Sequence, residues 1–439
     1  MTTHRELLER IAKRDATVAV LGLGYVGLPL GLAFAEEGFD VVGLDIDLER
    51  VEALAKGRSY VDDVRPEQLR AQLDRRRFRP ASDFDELKRA HAVIACVPTP
   101  LNKSGDPDIS FIVNATLEIE KRLRPGQLVV LESTTYPGTT VEVVQPRLAS
   151  AQGRSWKVGK DYFLAFSPER IDPGSKRFTV RNTPKVVGGV TERCGEAASA
   201  LYAAALERVV PVRDATTAEM VKILENTFRM VNIGLVNEIA ILCERLGIDV
   251  WEVIDAAATK PFGFLPFYPG PGLGGHCIPI DPFYLSWKMR TLHAKARFIE
   301  LAGEVNSAMP EFMVEKVAAG LNDEGKSVRG ARICILGFAY KRNVSDVRES
   351  PAFDIATKLR QRGAEISYHD PHVSEVEMEW GRLRSVALTP ELCRRLDCAV
   401  IVTDHDALDL DVVLQNVPLV VDSRNATRGR SAKARILKL

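Results

Sequence analysis

The chain reads as an α/β protein made of two doubly wound parallel sheets with a long helical segment between them. Three observations predict this. Short continuous Val/Ile/Leu runs alternate with helical stretches through the first third, one long run of apolar residues three or four apart begins at Thr216, and strand-helix alternation returns beyond residue 330. Continuous apolar strands interleaved with helices indicate a parallel sheet covered on both faces. The 439 residues suffice for two or three cores, at about 150 residues per domain.

In chain order, strands are expected at Thr17–Leu21, Val41–Asp45, Ala92–Val97, Leu128–Glu132 and Tyr162–Phe166. The apolar run Val18–Phe34 holds four glycines and a proline behind a charged start, so it reads as buried strand, turn and helix and not as a signal or anchor. The basic run Arg75-Arg-Arg-Phe-Arg79 follows a helical stretch from Pro66 and is read as a solvated helix end. Lys+Arg and Asp+Glu both number 59, so no overall field favours nucleic acid or an anionic membrane. Seven cysteines without a paired pattern suggest neither disulfides nor a metal site, and imply reduced thiols and a cytoplasmic protein.

Gly22-Leu-Gly-Tyr-Val-Gly27 closes the first expected strand and opens a helix, with Asp45 at the end of the second strand. Glycines there allow a tight turn and close approach of backbone to a pyrophosphate, which the free N–H groups of a helix N-terminus then stabilise. Asp45 is suited to accept ribose hydroxyls and would repel a 2′-phosphate, so NAD is expected over NADP. The first domain is therefore Rossmann-like and is assigned residues 1–210.

Residues 211–321 form the expected helical middle. Val221, Leu224, Phe228, Val231, Leu235, Ile239, Leu242 and Leu246 give one long helix ended by Gly247, whose stripe suits packing against a second copy or against the chain itself. Further helical stretches are expected around Trp251–Thr259 and Phe283–Ser307. Lys222 and Asn226 share a helix face, as solvated groups or as part of a polar cleft. Cys277 lies in Gly274-Gly-His-Cys-Ile-Pro-Ile-Asp281, beside glycines that leave backbone open and near His276 and Asp281, whereas Cys96, Cys243 and Cys334 read as small buried hydrophobes. A thiol beside a dinucleotide site suits a two-step oxidation, because a thiolate captures an aldehyde as a thiohemiacetal that is again a hydride donor. Glu169, after Ser167-Pro168, is a candidate base.

A polar linker is expected over Asn322–Gly330, within the third domain, 322–439. Its opening strand, Arg332–Gly337, resembles the first, and strands follow at Glu365–Tyr368, Cys398–Val402 and Leu419–Asp422. Gly337-Phe-Ala-Tyr-Lys341 lacks the later glycines of the dinucleotide fingerprint, so side chains there would clash with a dinucleotide. Lys341, Arg348 and Arg424 are surface charges or phosphate contacts at strand ends.

Gly22-Leu-Gly-Tyr-Val-Gly-Leu-Pro-Leu30, Val97-Pro-Thr-Pro100, Glu132-Ser-Thr134, Ser167-Pro-Glu-Arg170, Lys222 with Asn226, Gly274–Asp281, and Lys341 with Asp346-Val-Arg-Glu-Ser-Pro351 together resemble the UDP-glucose/GDP-mannose dehydrogenase family over essentially the whole chain. The resemblance implies NAD at Gly22, Gly24, Tyr25, Val26, Gly27, Asp45, Arg50, Thr99 and Thr134, with Arg348 reaching it from the last lobe. It implies a UDP-sugar at Glu169, Arg170, Lys222, Asn226, Phe264, Leu265, Tyr268, Gly274, Lys341 and Arg424. It further implies a double oxidation at C6 through Cys277, with Lys222 and Asn226 stabilising oxygen charge, Asp281 and Thr134 positioning water, and Glu169 as base. Thr259–Phe267 lacks the arginine that glucose-specific members commonly carry. The loop Pro261–Pro271 looks most like bacterial UDP-N-acetylglucosamine 6-dehydrogenases, with UDP-N-acetylmannosamine and UDP-glucose as alternatives, and a homodimer or larger homo-oligomer is implied.

Overall fold

The computed structural model describes residues 2–61, 63–102, 106–171 and 177–439. Contacts divide the chain into two units, Met1–Glu225 with Trp287–His293, and Asn226–Ser286 with Ala294–Leu439.

The first unit is built on eight strands: β1 (Thr17–Leu21), β2 (Asp40–Leu44), β3 (Phe78–Ala81), β4 (Ala92–Ala95), β5 (Leu128–Leu131), β6 (Phe163–Phe166), β7 (Lys185–Gly189) and β8 (Val209–Val212). Their order is β3-β2-β1-β4-β5-β6-β7-β8, parallel throughout except for the antiparallel β6–β7 pair. β1, β4, β5 and β6 are almost wholly buried, as their unbroken apolar runs require. The reversal of direction between β1 and β4 relative to β1 and β2 leaves a crevice at the carboxyl ends of the strands, where ligands of such sheets bind.

The basic run Arg75–Arg79 is not simply a helix end. The helix Pro66–Asp74 stops at Arg75, and Phe78, which is buried, starts the edge strand β3. Burial of that one aromatic against β2 decides the matter, while Arg77 and Arg79 pair with Asp40 and Glu86.

The helix Ala215–Leu246, 32 residues long, ends before Gly247 at φ +69°, the left-handed terminator expected of glycine. It is apolar on two faces. Ile223, Met230, Val236 and Ala240 are buried, whereas Leu224, Phe228, Leu235 and Leu242 of the stripe recognised in the sequence are exposed.

The second unit contains β9 (Arg332–Leu336), β10 (Glu365–His369), β11 (Glu375–Met378), β12 (Gly381–Arg384), β13 (Cys398–Ile401), β14 (Leu419–Asp422) and β15 (Arg435–Lys438). β10-β9-β13-β14-β15 form a parallel sheet and β11–β12 an antiparallel ribbon. Two expectations are corrected here. The helical stretch Phe283–Ser307 is two helices, Asp281–Thr291 and Arg297–Asp323, interrupted where His293 takes φ +56°. The second of these continues past Asn322, so the linker begins only at Glu324; Met309, Met313, Val317 and Leu321 are buried and hold those last turns in the core.

Candidate active site

In the first unit the glycine turn has three separate steric reasons. Gly22 has φ +88°, and a Cβ there would stand 2.5 Å from the carbonyl oxygen of Cys96. A Cβ on Gly27 would run into the Gly22 carbonyl, so this glycine lets the helix Gly27–Glu36 press against the strand. Around Gly24 a Cβ would meet nothing within 4 Å. The middle glycine therefore faces open space, where a pyrophosphate needs bare backbone. The following helix has no side-chain cap at Val26, while the N–H groups of Leu28 and Leu30 are taken by the Gly24 and Val26 carbonyls at 3.2 Å.

A cavity of about 840 Å³ opens at this turn, lined by Gly22, Gly24, Asp45, Arg50, Val97 and Phe111 among others. Asp45 is nearly buried and accepts hydrogen bonds from the backbone N–H of Leu23 (2.9 Å) and Asp47 (3.0 Å), so its carboxylate is fixed by the turn it serves. Arg50 is held by Asp47 at 3.2 Å and lies over the Tyr60 ring, 5.5 Å from its centroid. Of the other residues expected at the cofactor, Tyr25 is exposed, Thr99 buried and Thr134 half-buried, and neither they nor Val26 and Gly27 line this cavity. The bare backbone at Gly24 and the Asp45 carboxylate beside the cavity fit NAD.

Around Glu169 lies a second group of polar residues in the same unit. Glu169 is half-buried and accepts from the backbone N–H of Ile171. Arg170 is already engaged, by Glu225 and by the Pro184 carbonyl at 2.8 Å. Beneath them Glu132, at the end of β5, is buried in an ion pair with Lys185 and receives the Tyr202 hydroxyl at 2.6 Å. Sequence reasoning missed Lys185 and Tyr202, because pairing across β5, β7 and a helix leaves no local pattern. It also missed Glu219, which is buried on the long helix and accepts from the N–H of Gly138 and Thr140 and from the Thr140 hydroxyl. Burial pushes Glu219 up to about 7 despite those bonds. Lys222, one turn further on, is also buried.

In the second unit Cys277 is exposed on a turn whose carbonyl accepts from the N–H of Ile280 (3.2 Å) and Asp281 (2.8 Å), the latter opening the helix Asp281–Thr291. No cysteine of the chain is in a disulfide. Gly274 and Gly275 pack on Tyr340, where Cβ atoms would come within 2.7 and 2.8 Å of its side chain, and the Gly275 N–H donates to the Arg348 carbonyl at 3.0 Å. The glycines thus dock the cysteine turn against the segment carrying Lys341 and Arg348. Asp281 is buried and accepts from the Asn226 amide at 2.6 Å. Burial, aided by the positive Arg348, lowers the pKa of His276 below the ordinary histidine value. Arg348 itself grips Asp346 with a 2.6 Å contact from its guanidinium.

Lys341 is half-buried. Arg424 packs over Gly270, donates to the Val402 carbonyl at 2.8 Å, and lines a cavity of about 380 Å³ with Tyr268, Trp251, Asp255 and Arg428. The Tyr268 and Trp251 rings stack at 5.8 Å, 14° from parallel. Phe264 and Leu265 are exposed, and Phe264, Leu265, Gly274 and Lys341 lie outside that cavity. Where β9 ends, the second lobe closes its own version of the glycine turn: Asp370 accepts from the N–H of Phe338 (2.7 Å) and Ala339 (2.9 Å), and His405 lies 3.1 Å from the same oxygen.

Among the described residues no three His, Cys, Asp or Glu side chains are grouped to hold a metal, and no helix is long and apolar enough to cross a membrane.

Comparison with known proteins gives a consistent result. Three family descriptions match in order: the NAD binding domain of the UDP-glucose/GDP-mannose dehydrogenase family over residues 16–206, its central domain over 216–308 and its UDP binding domain over 334–429. The chain is 33% identical over 421 residues to the UDP-N-acetyl-D-mannosamine dehydrogenase of Methanococcus maripaludis, covering 93% of this chain and 92% of the relative. It is 34% identical over 370 residues to the UDP-N-acetyl-D-glucosamine 6-dehydrogenase of Salmonella typhi, covering 84% and 85%. The solved UDP-D-ManNAc dehydrogenase of Pyrococcus horikoshii superposes with a TM-score of 0.87 at 32% identity, covering 96% of this chain and 98% of the other.

Proposed function

Since the chain belongs to the UDP-glucose/GDP-mannose dehydrogenase family, and so is an NAD-dependent UDP-sugar dehydrogenase with a UDP-binding domain, we propose that it oxidises the C6 hydroxyl of a UDP-N-acetylhexosamine to the uronic acid through Cys277, for surface polysaccharide precursor synthesis. NAD, when bound, takes up a hydride in each of the two oxidations. Glu169 accepts the hydroxyl proton as the alcohol becomes an aldehyde. The Cys277 thiolate adds to the aldehyde carbon to give a thiohemiacetal alkoxide, whose loss of a second hydride leaves a thioester. Water, positioned by Asp281 and Thr134, adds to that carbon and expels the thiolate, giving the acid. Lys222 and Asn226 stabilise negative charge on the reacting oxygen. One sugar therefore yields two NADH.

The observation that carries this reading is the placement of Cys277: exposed on a glycine turn, with its carbonyl bound to the N–H of Asp281, whose carboxylate in turn accepts from Asn226. An exposed thiol on a turn fixed through its own backbone suits covalent capture of a carbonyl better than structural packing. NADH formed per sugar consumed is the test, with UDP-N-acetylglucosamine, UDP-N-acetylmannosamine and UDP-glucose each supplied with NAD. Two NADH per N-acetylated sugar is expected; one, or turnover of UDP-glucose alone, overturns the proposal. N-acetylated substrates are favoured by the relatives named above and by the absence of arginine from Thr259–Phe267.

The exposed stripe Leu224, Phe228, Leu235 and Leu242 supports a homodimer formed along the long helix, since an apolar face of that length is costly to leave in water.

A further inference from the structure

We propose that His405, braced by Asp370, is a positioning residue for UDP binding: its ring, with the proton on Nε2, spans from the Asp370 carboxylate to the backbone of Asn343 and fixes the turn that carries Lys341. The inference rests on the reading of Lys341 as a contact to the UDP-sugar.

The two lobes use the same turn differently. Gly22 and Gly337 follow the first strands of their sheets at φ +88° and +84°, and their N–H groups donate to the carbonyls of Leu44 and His369 at 2.8 and 2.9 Å. Asp45 and Asp370 come next after those two residues, and each receives the N–H that follows the glycine, from Leu23 at 2.9 Å and from Phe338 at 2.7 Å. There the likeness ends. Asp45 lines a cavity, whereas the Asp370 side chain has no exposed surface. Its Oδ2 also takes the N–H of Ala339, its Oδ1 takes those of His372 and Val373, and His405 Nε2 stands 3.1 Å from Oδ2. The carboxylate that borders a cavity in one lobe is turned inward in the other, against a histidine.

The neighbours of His405 decide which nitrogen carries its proton. The backbone N–H of Asn343 donates to Nδ1 at 2.9 Å, so Nδ1 is a bare acceptor and the single N–H of the ring is at Nε2, facing the carboxylate. Burial of Asp370 works against its charge, yet the His405 bond and the N–H groups of Ala339 and His372 hold its pKa down to about 2, so it is an acceptor there. The ring is thus held at both edges, and it is wholly buried.

What His405 holds is a strained turn. Asn343 takes φ +60°, the left-handed region that a residue with a side chain adopts only where its surroundings outweigh the cost. Besides the bond to His405, the Asn343 side-chain amide donates to Asp406 at 2.6 Å and its oxygen accepts the Asp406 N–H at 3.0 Å. Arg342 pairs with Asp406 at 2.8 Å, and the Thr403 hydroxyl donates to the Ala339 carbonyl at 2.6 Å. Lys341 therefore lies in a turn tied on both sides to residues 403–406. Water competes for the bonds of Arg342, Asn343 and Asp406, which are exposed, but not for those of the buried His405, which makes the histidine the firmest of these ties. A lysine acts on a phosphate as a point charge at the end of a flexible stem, so the placing of its backbone decides what the ammonium can reach.

The test uses the full chain with UDP as the probe. Calorimetry gives the UDP affinity of the parent, of Lys341→Met, of His405→Phe, which keeps a buried ring but makes neither bond, and of the double variant; fluorescence gives their NADH affinity. Each single variant is expected to bind UDP about tenfold more weakly, and the double variant no more weakly than the poorer single, because His405 acts through Lys341. NADH affinity is expected to stay that of the parent, since the dinucleotide belongs to the first lobe. Parent UDP affinity in His405→Phe overturns the proposal. So does a loss in the double variant equal to the product of the two single losses, which would mean that His405 supports the lobe at large and not Lys341. In both cases Lys341→Met still weakens UDP and the reading of Lys341 stands; if Lys341→Met binds UDP as the parent does, that reading fails and the proposal with it. Should His405→Phe not fold, His405→Gln takes its place in the same cycle. Nitrogen NMR of the parent at neutral pH reads the ring directly: a proton on Nε2 with Nδ1 bare supports the proposal, and a proton on Nδ1 or on both overturns it.

Discussion

The Asn226 amide donates a 2.6 Å hydrogen bond to Oδ2 of Asp281, across 55 positions of sequence, with both side chains almost excluded from water at 5% and 1% exposure. The bond ties the long helix to the first residue of the helix that follows Cys277. A buried carboxylate without a donor is costly, so each residue accounts for the burial of the other.

Asn226→Ala removes the donor and leaves Asp281 buried with one fewer bond. Expected outcomes are a loss of about 1–3 kcal/mol in stability and a kcat lower by about a hundredfold or more, as for loss of a donor to a developing oxyanion. Thermal melting and steady-state NADH production check the two effects. A variant with parent kcat places Asn226 outside the chemistry.

Cys277→Ser is expected to abolish formation of the uronic acid while the fold persists, because the side chain is exposed and its backbone makes the turn. Mass spectrometry of the sugar products checks this. Undiminished acid would remove Cys277 from the mechanism.

Gly22 and Gly24 make opposite predictions. Gly22→Ala meets the Cys96 carbonyl at φ +88° and is expected to lower the melting temperature. Gly24→Ala finds open space, so stability is retained and KM for NAD rises, by about tenfold or more, because the added methyl occupies the dinucleotide's approach. Melting curves with and without NAD distinguish the two.

Glu219 predicts a pH dependence of stability. Its folded pKa, about 7, lies above the usual 4.5, so between those values the folded state holds more protons than the unfolded one. This contribution is present in full below about 4.5 and is lost as pH rises through about 7, an effect of roughly 3 kcal/mol. Glu219→Gln, which cannot ionise, is expected to flatten that part of the stability profile. An unchanged slope in urea melts across this window would contradict the assignment.

Leu235→Glu places a charge in the exposed stripe of the long helix. A shift from dimer to monomer in sedimentation, with NADH still bound, is expected; an unchanged mass would place the contact elsewhere.

Much of this molecule was legible in its sequence, for physical reasons particular to each element. Unbroken apolar runs gave β1, β4, β5 and β6 because a strand buried on both faces has no polar position to spare. Gly22-Leu-Gly-Tyr-Val-Gly27 was readable because one residue type answers three separate steric demands. The edge strand β3 was hidden behind its arginines, since only Phe78 of that run is buried, and the break at His293 has no glycine or proline to mark it.

By itself, then, the sequence determined the central strands of the two sheets but not β3, β7, β8 or β15, together with the long helix and the turns that carry Gly24 and Cys277, all of which follow from local periodicity and backbone sterics. Only the tertiary structure decided which charged groups share a cavity and which apolar face is left uncovered. Glu132 meets Lys185 and Tyr202 from 53 and 70 positions away, and Leu235 is exposed while Val236 beside it is buried. Both depend on which surfaces the folded elements turn toward one another, and periodicity within one element carries no record of that.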